Sequence, residues 1–125
     1  MERAGEGLRV LVVDDDPSIR LLCRVNLEAA GVQVDEAADG QEALDAALAA
    51  PPDVALVDVM MPGLDGWELA EQLRADERTA NVAVVFITAM TGEFAESRAR
   101  ELGATYISKP FNPLELPRVV ERLAG

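Results

Sequence analysis

Short runs of β-branched and aliphatic residues alternate along the chain with longer stretches in which apolar residues return every three or four positions. The runs at 8–13 (LRVLVV), 32–37 (VQVDEA), 54–58 (VALVD), 82–87 (VAVVFI) and 105–108 (TYIS) read as strands. The first, third and fourth are almost unbroken apolar segments, as strands covered on both faces should be. Helical periodicity fills the intervals. In the first interval Ile19, Leu22, Cys23, Leu27 and Ala30 recur at helical steps, and Pro17 suits a first helical position after Asp16. Gly31 stands where a C-terminal cap belongs. The remaining helices are expected at 41–50, 65–75, 93–102 and 113–124. Pro117 falls inside the last, so that helix either begins near it or kinks there. Residues 1–7, polar and glycine-containing, read as a flexible leader, which leaves 8–125 as a single domain.

Five strands alternating with five helices make an α/β domain of (βα)5 form. Strand-helix-strand units of this size call for a parallel sheet, right-handed crossovers and helices on both faces, a doubly wound arrangement. Ligands of such sheets bind at the carboxyl ends of the strands, near the point where the winding reverses. Those ends carry a distinctive set of groups. The first strand runs into Asp14, Asp15 and Asp16, and the third ends at Asp58. Thr88 and Ala89 follow the fourth, and Lys109 and Pro110 follow the fifth.

Composition narrows the chemistry. The chain has 23 acidic and 11 basic residues, a net charge of −12, and no histidine. Histidine triads, cysteine-histidine pairs and histidine metal sites are therefore excluded. The acidic balance argues against direct contact with nucleic acid phosphates and against an anionic membrane surface. No apolar run approaches the ~20 residues of a membrane span. Cys23 is the single cysteine and cannot form an internal disulfide, so a reducing cytoplasm is the expected location.

Taken one at a time, aspartates in turns and acidic runs are ordinary solvated surface. Converging at one sheet edge, they repel and require raised pKa values or a cation. Lys109 offsets one charge, and Mg2+, which prefers oxygen ligands and a phosphate, offsets two more. An aspartate beside that ion, with an ammonium and a hydroxyl at hand, is a nucleophile for a phosphoryl group.

The segments VLVVDDDPSIR (10–20), DVALVDVMMPGLDGWEL (53–69), VAVVFITA (82–89) and ISKPFNPLEL (107–116) together resemble the signature of two-component response-regulator receiver domains. The likeness covers about residues 8–123. It implies a flavodoxin-like, CheY-like sheet of strand order 2-1-3-4-5. It implies that Asp58 is the phospho-acceptor and a Mg2+ ligand, that Asp15 binds the ion directly, and that Asp14 acts through water. Met60 would add its backbone carbonyl to the metal site. Thr88 would bond the phosphoryl group and form a switch pair with Tyr106, and Lys109 would contact a phosphoryl oxygen. A cis peptide is implied before Pro110, a tight turn at Gly66, and a helix N-cap at Asp16. Met60 and Met90 would flank the path of the water that hydrolyses the acyl phosphate.

The implied partners are a histidine kinase or phosphotransfer protein and a downstream protein effector or attached output domain, with no direct nucleic acid binding and no membrane. The resemblance implies no enzyme activity beyond the domain's own phosphorylation and dephosphorylation. Two departures stand out. Only Thr105 separates Ala104 from Tyr106, one residue fewer than the family usually has, and Ala83 replaces a common proline. A haloacid-dehalogenase-type phosphatase is the alternative, since Asp14-Asp15-Asp16 fits its Asp-x-Asp spacing, although Pro17-Ser18 does not continue its motif. A flavin-binding relative would need a Ser/Thr-rich loop after strand one, and no P-loop is present. A receiver-shaped module that takes no phosphate is the third reading.

Overall fold

A computed structural model describes residues 7–90 and 92–124. Apart from Gly7, the expected leader lies outside the described residues. The strands are β1 (Arg9–Val13), β2 (Gln33–Ala37), β3 (Val54–Val57), β4 (Ala83–Thr88) and β5 (Thr105–Ser108). The helices are α1 (Pro17–Ala29), α2 (Gly40–Ala49), α3 (Gly66–Ala75), α4 (Glu93–Glu101) and α5 (Leu116–Ala124). All strands pair in parallel, in the order β2-β1-β3-β4-β5 that the resemblance implied. Val13 lies opposite both Ala37 and Val57, and Val57 opposite Phe86, so the carboxyl ends of β1, β3 and β4 align.

The two-residue period of the strands divides the core. Val10, Val12, Val54, Leu56, Val85 and Ile87 pack with Cys23 and Leu27 of α1 and with Leu116 and Val120 of α5. Leu11, Val13, Val57, Val84 and Phe86 face α2, α3 and α4. On that side Trp67 meets Phe86 edge-on, with ring centroids 4.5 Å apart. Each fully buried leucine here contributes about 1.5–3 kcal/mol relative to an exposed one. Because both faces are covered, the strand ends are what the sheet leaves available.

Aspartates start three of the helices. Asp16, Asp39 and Asp65 each accept a backbone N–H from the first turn of α1, α2 and α3. Asp65 and Glu68 close a reciprocal capping box. The expected single helix over 113–124 is instead a 3-10 turn, Pro113–Glu115, followed by α5. Pro117 is thereby the second residue of α5, where a missing N–H costs no helical hydrogen bond.

The short connection from α4 to β5 closes through Gly103 at φ +64°, with the Ala104 amide donating back to the Ala99 carbonyl. The Arg74 guanidinium, reaching from the end of α3, donates to the carbonyls of Leu102, Gly103, Ala80 and Val82. This short loop is held from outside.

Candidate functional site

Asp14, Asp15 and Asp58 each present a carboxylate oxygen within 4.8 Å of the others. Asp14 and Asp58 are 3% and 7% exposed, whereas Asp15 faces solvent. The Lys109 ammonium sits between the two buried carboxylates, Nζ lying 3.2 Å from Asp14 Oδ2 and 3.5 Å from Asp58 Oδ2. Lys109 reaches this place because its amide donates to the Thr88 carbonyl at 2.8 Å, continuing the β4–β5 ladder, and a cis bond to Pro110 follows.

Burial raises the Asp58 pKa, and the neighbouring Asp14 charge raises it further; Lys109 and the Met60 amide work against both. Burial disfavours the Lys109 ammonium, but its hydrogen bond to Asp14 and the charges of Asp14 and Asp58 outweigh that cost and raise its pKa. Lys109 is thus a fixed cation. Three carboxylates facing one another with a single ammonium leave uncompensated negative charge, and their all-oxygen donor set fits a hard divalent cation.

Asp14 is tied on every side. Its amide donates to the Ala37 carbonyl at 3.2 Å, and Oδ1 accepts the Asp16 amide at 2.9 Å. Its carbonyl accepts Arg20 Nη1 at 2.6 Å. Asp58 continues β3, its amide donating to the Val13 carbonyl at 2.9 Å, and Oδ1 accepts the Met60 amide at 3.3 Å. Gly66 is required beside it, since a Cβ there would lie 2.5 Å from the Asp58 carbonyl oxygen. Met60 lies in the loop after Asp58 with its side chain 62% exposed, outside the cluster.

Thr88 is fully buried, and its hydroxyl accepts the Met90 amide at 3.1 Å. The Tyr106 hydroxyl donates to the Met90 carbonyl. The two expected switch residues therefore meet through the backbone of one residue. Asp16 turns away from the cluster, its Oδ1 capping α1 through the Ser18 amide at 2.9 Å. An Asp-x-Asp nucleophile and acid pair of the haloacid-dehalogenase kind is consequently not assembled.

Sequence reasoning assigned no role to Arg20 or Glu36. Arg20 Nε donates to Glu36 Oε1 at 3.0 Å, while Nη1 reaches the Asp14 carbonyl. The available signal was the acidic pair Asp35-Glu36 in β2, with Arg20 and Arg24 one helical turn apart on α1. An apolar hollow of about 430 Å³, lined by Ile19, Leu22, Ala89, Pro110 and Phe111, opens beside Lys109.

Residues 10–121 match the family pattern described as the response regulator receiver domain. The chain is 43% identical over 109 residues to the alkaline phosphatase synthesis transcriptional regulatory protein PhoP of Bacillus subtilis, covering 86% of this chain and 45% of that protein. It is 38% identical to the DNA-binding dual master transcriptional regulator RpaA of Synechocystis sp., again covering 86% of this chain and 45% of that protein. Among solved structures, the chemotaxis protein CheY4 of Vibrio cholerae superposes with a TM-score of 0.86 at 36% identity, over 93% of this chain and 98% of that one. The chain spans about half the length of the curated relatives it matches.

These relatives correct one expectation. Acidic charge argued against nucleic acid contact, yet RpaA is named a DNA-binding regulator, and PhoP a transcriptional one. The repulsion argument concerns only the surface of these 125 residues, and such relatives carry as much chain again outside the match.

Proposed function

The chain belongs to the receiver domains of two-component response regulators, and on that premise we propose that Asp58 takes a phosphoryl group from a histidine kinase or a phosphotransfer protein. The observation that carries the reading is the Lys109 ammonium set between Asp14 and Asp58 at 3.2 and 3.5 Å, beside the buried Thr88. A carboxylate oxygen of Asp58 forms the new bond to phosphorus as the bond from phosphorus to the donor's imidazole nitrogen breaks. The electron pair leaves with that ring, which takes up a proton from solvent.

Asp15 and Asp58 would hold Mg2+ directly, Asp14 through water and Met60 by its carbonyl, and the bound ion would neutralise charge on the phosphoryl oxygens. Lys109 supplies a second positive charge beside the acceptor. The Thr88 hydroxyl is a further donor for a phosphoryl oxygen. Turning it toward the acyl phosphate takes it from the Met90 amide, whose carbonyl holds Tyr106. Tyr106 rotates in response, which repacks the β5 side of the molecule as a two-state switch.

The chain acts on its own carboxylate and on no other substrate. The apolar hollow beside Lys109 suits the seating of the phosphodonor protein. The output is a downstream protein or an attached domain, and the relatives' names favour control of transcription. Among the described residues no helix is long and apolar enough to cross a membrane, and a cytoplasmic location accords with the unpaired Cys23.

Incubation with a small phosphodonor and Mg2+, followed by intact-mass measurement, tests the assignment. The wild type should gain one phosphoryl group and Asp58→Asn none. Equal gain by the variant would place the acceptor elsewhere.

A further inference from the structure

The three carboxylates of the cluster are held unequally. Asp14 and Asp58 are buried and hydrogen-bonded, but Asp15 is exposed, and its carboxylate makes no hydrogen bond or ion pair among the described residues. With no contact of its own among the described residues, the Asp15 carboxylate takes its starting direction from the backbone, beginning with the peptide that joins it to Asp14. The carbonyl of that peptide has one side-chain partner, Arg20 Nη1 at 2.6 Å. Arg20 is itself fixed, with Nε on Glu36 Oε1 at 3.0 Å. The other Glu36 oxygen, Oε2, takes Arg24 Nη1 at 2.7 Å, and Arg24 Nη2 donates to the Val34 carbonyl at 3.3 Å. A line of charge-assisted hydrogen bonds therefore runs from the edge strand β2 to the acidic loop, through side chains only 17% and 25% exposed at Arg20 and Glu36.

We propose that Arg20, oriented by Glu36, is a positioning residue for the divalent-cation site: it holds the peptide between Asp14 and Asp15 so that Asp15 faces Asp58. The proposal rests on the metal reading given above. The guanidinium is suited to the task because its fork serves two acceptors in fixed directions at once, which a lysine ammonium does not reproduce.

The sign of the effect separates positioning from simple charge. Arg20 is a cation near a cation site. If it acted only through its field, removing it would tighten Mg2+ binding, and Arg20→Lys would change nothing. If it positions Asp15, removal weakens binding despite the lost repulsion, and lysine does not rescue it.

The experiment is thermal denaturation across a Mg2+ titration for the wild type, Arg20→Met, Arg20→Lys and Glu36→Ala, the half-saturating concentration being the Kd fitted from RT ln(1 + [Mg2+]/Kd). Arg20→Met and Arg20→Lys should raise the half-saturating Mg2+ concentration roughly tenfold, the low end for residues that orient metal ligands. Glu36→Ala frees the guanidinium and also removes an anion, so it should shift the value in the same direction on both counts, and Arg20→Lys, which keeps the charge, carries the discrimination. An Arg20→Met midpoint equal to or below the wild-type value overturns the proposal. Should that variant not fold, an unshifted Glu36→Ala midpoint overturns it instead. A wild type indifferent to Mg2+ removes the metal reading and this inference with it, whereas a responsive wild type with unshifted variants removes this inference alone.

Discussion

As the proposed phospho-acceptor, Asp58 would have to be ionised to attack phosphorus, yet burial and the adjacent Asp14 both favour its protonated form. Its folded pKa is raised above the ~3.9 of an unfolded aspartate, so the folded state binds this proton more tightly. Stability is therefore unaffected below about pH 4, where both states are protonated, and is lost as pH rises through the folded value. Asp58→Asn removes that cost while Lys109 keeps its contact with Asp14. In metal-free buffer the variant should have the higher urea midpoint at pH 7, and the two midpoints should converge near pH 3.5. A wild type at least as stable at pH 7 would refute the burial cost. The neighbouring methionines carry a second expectation. The family resemblance places Met60 and Met90 beside the path of the hydrolytic water, and their thioethers cannot orient that water. Met60→Asn combined with Met90→Glu should speed loss of the phosphoryl group severalfold, as followed by intact mass; decay no faster than wild type would dismiss them.

At the scale of elements, the strands and most helix ends were legible because their signals are local: β-branched runs, an aspartate before each of α1, α2 and α3, and a glycine soon after α1 and α4. Asp14, Asp58, Thr88 and Lys109 were legible for a related reason, each standing at the end of a readable strand. Arg20 and Arg74 were not, because their partners include backbone carbonyls, which leave no mark in the sequence. Arg74 shows what that conceals. The α4–β5 connection looked short by one residue, and the structure meets the shortage with a left-handed Gly103 and with the Arg74 guanidinium on four carbonyls around it. Burial lowers the Arg74 pKa, yet the group stays cationic and its hydrogen bonds are charge-assisted. Arg74→Ala should cost about 2–3 kcal/mol of unfolding free energy, as expected for hydrogen bonds to a charged group. Amide exchange should quicken first at residues 102–104. A loss below about 0.5 kcal/mol, ordinary for an open surface site, would show that the loop holds without it.

For the whole molecule, the net charge of −12 is unevenly placed, and among the described residues three carboxylates share one ammonium at the sheet edge. A divalent cation that binds there binds the folded chain, since unfolding separates Asp14 from Asp58 by the length of an intervening α-β-α-β segment. Mass action then stabilises the fold by RT ln(1 + [Mg2+]/Kd), about 1.4 kcal/mol at ten times Kd. For a domain of this size that is a rise in melting temperature of roughly 4–7 °C. General screening of the acidic surface also stabilises, so the control is KCl at matched ionic strength, which should give a smaller rise. Asp58→Asn removes one of the charges that recruits the ion and should reduce the Mg2+-specific part while leaving the KCl response unchanged. Superimposable scans in Mg2+ and in matched KCl would mean that the carboxylates at the strand ends, however close, do not form a metal site.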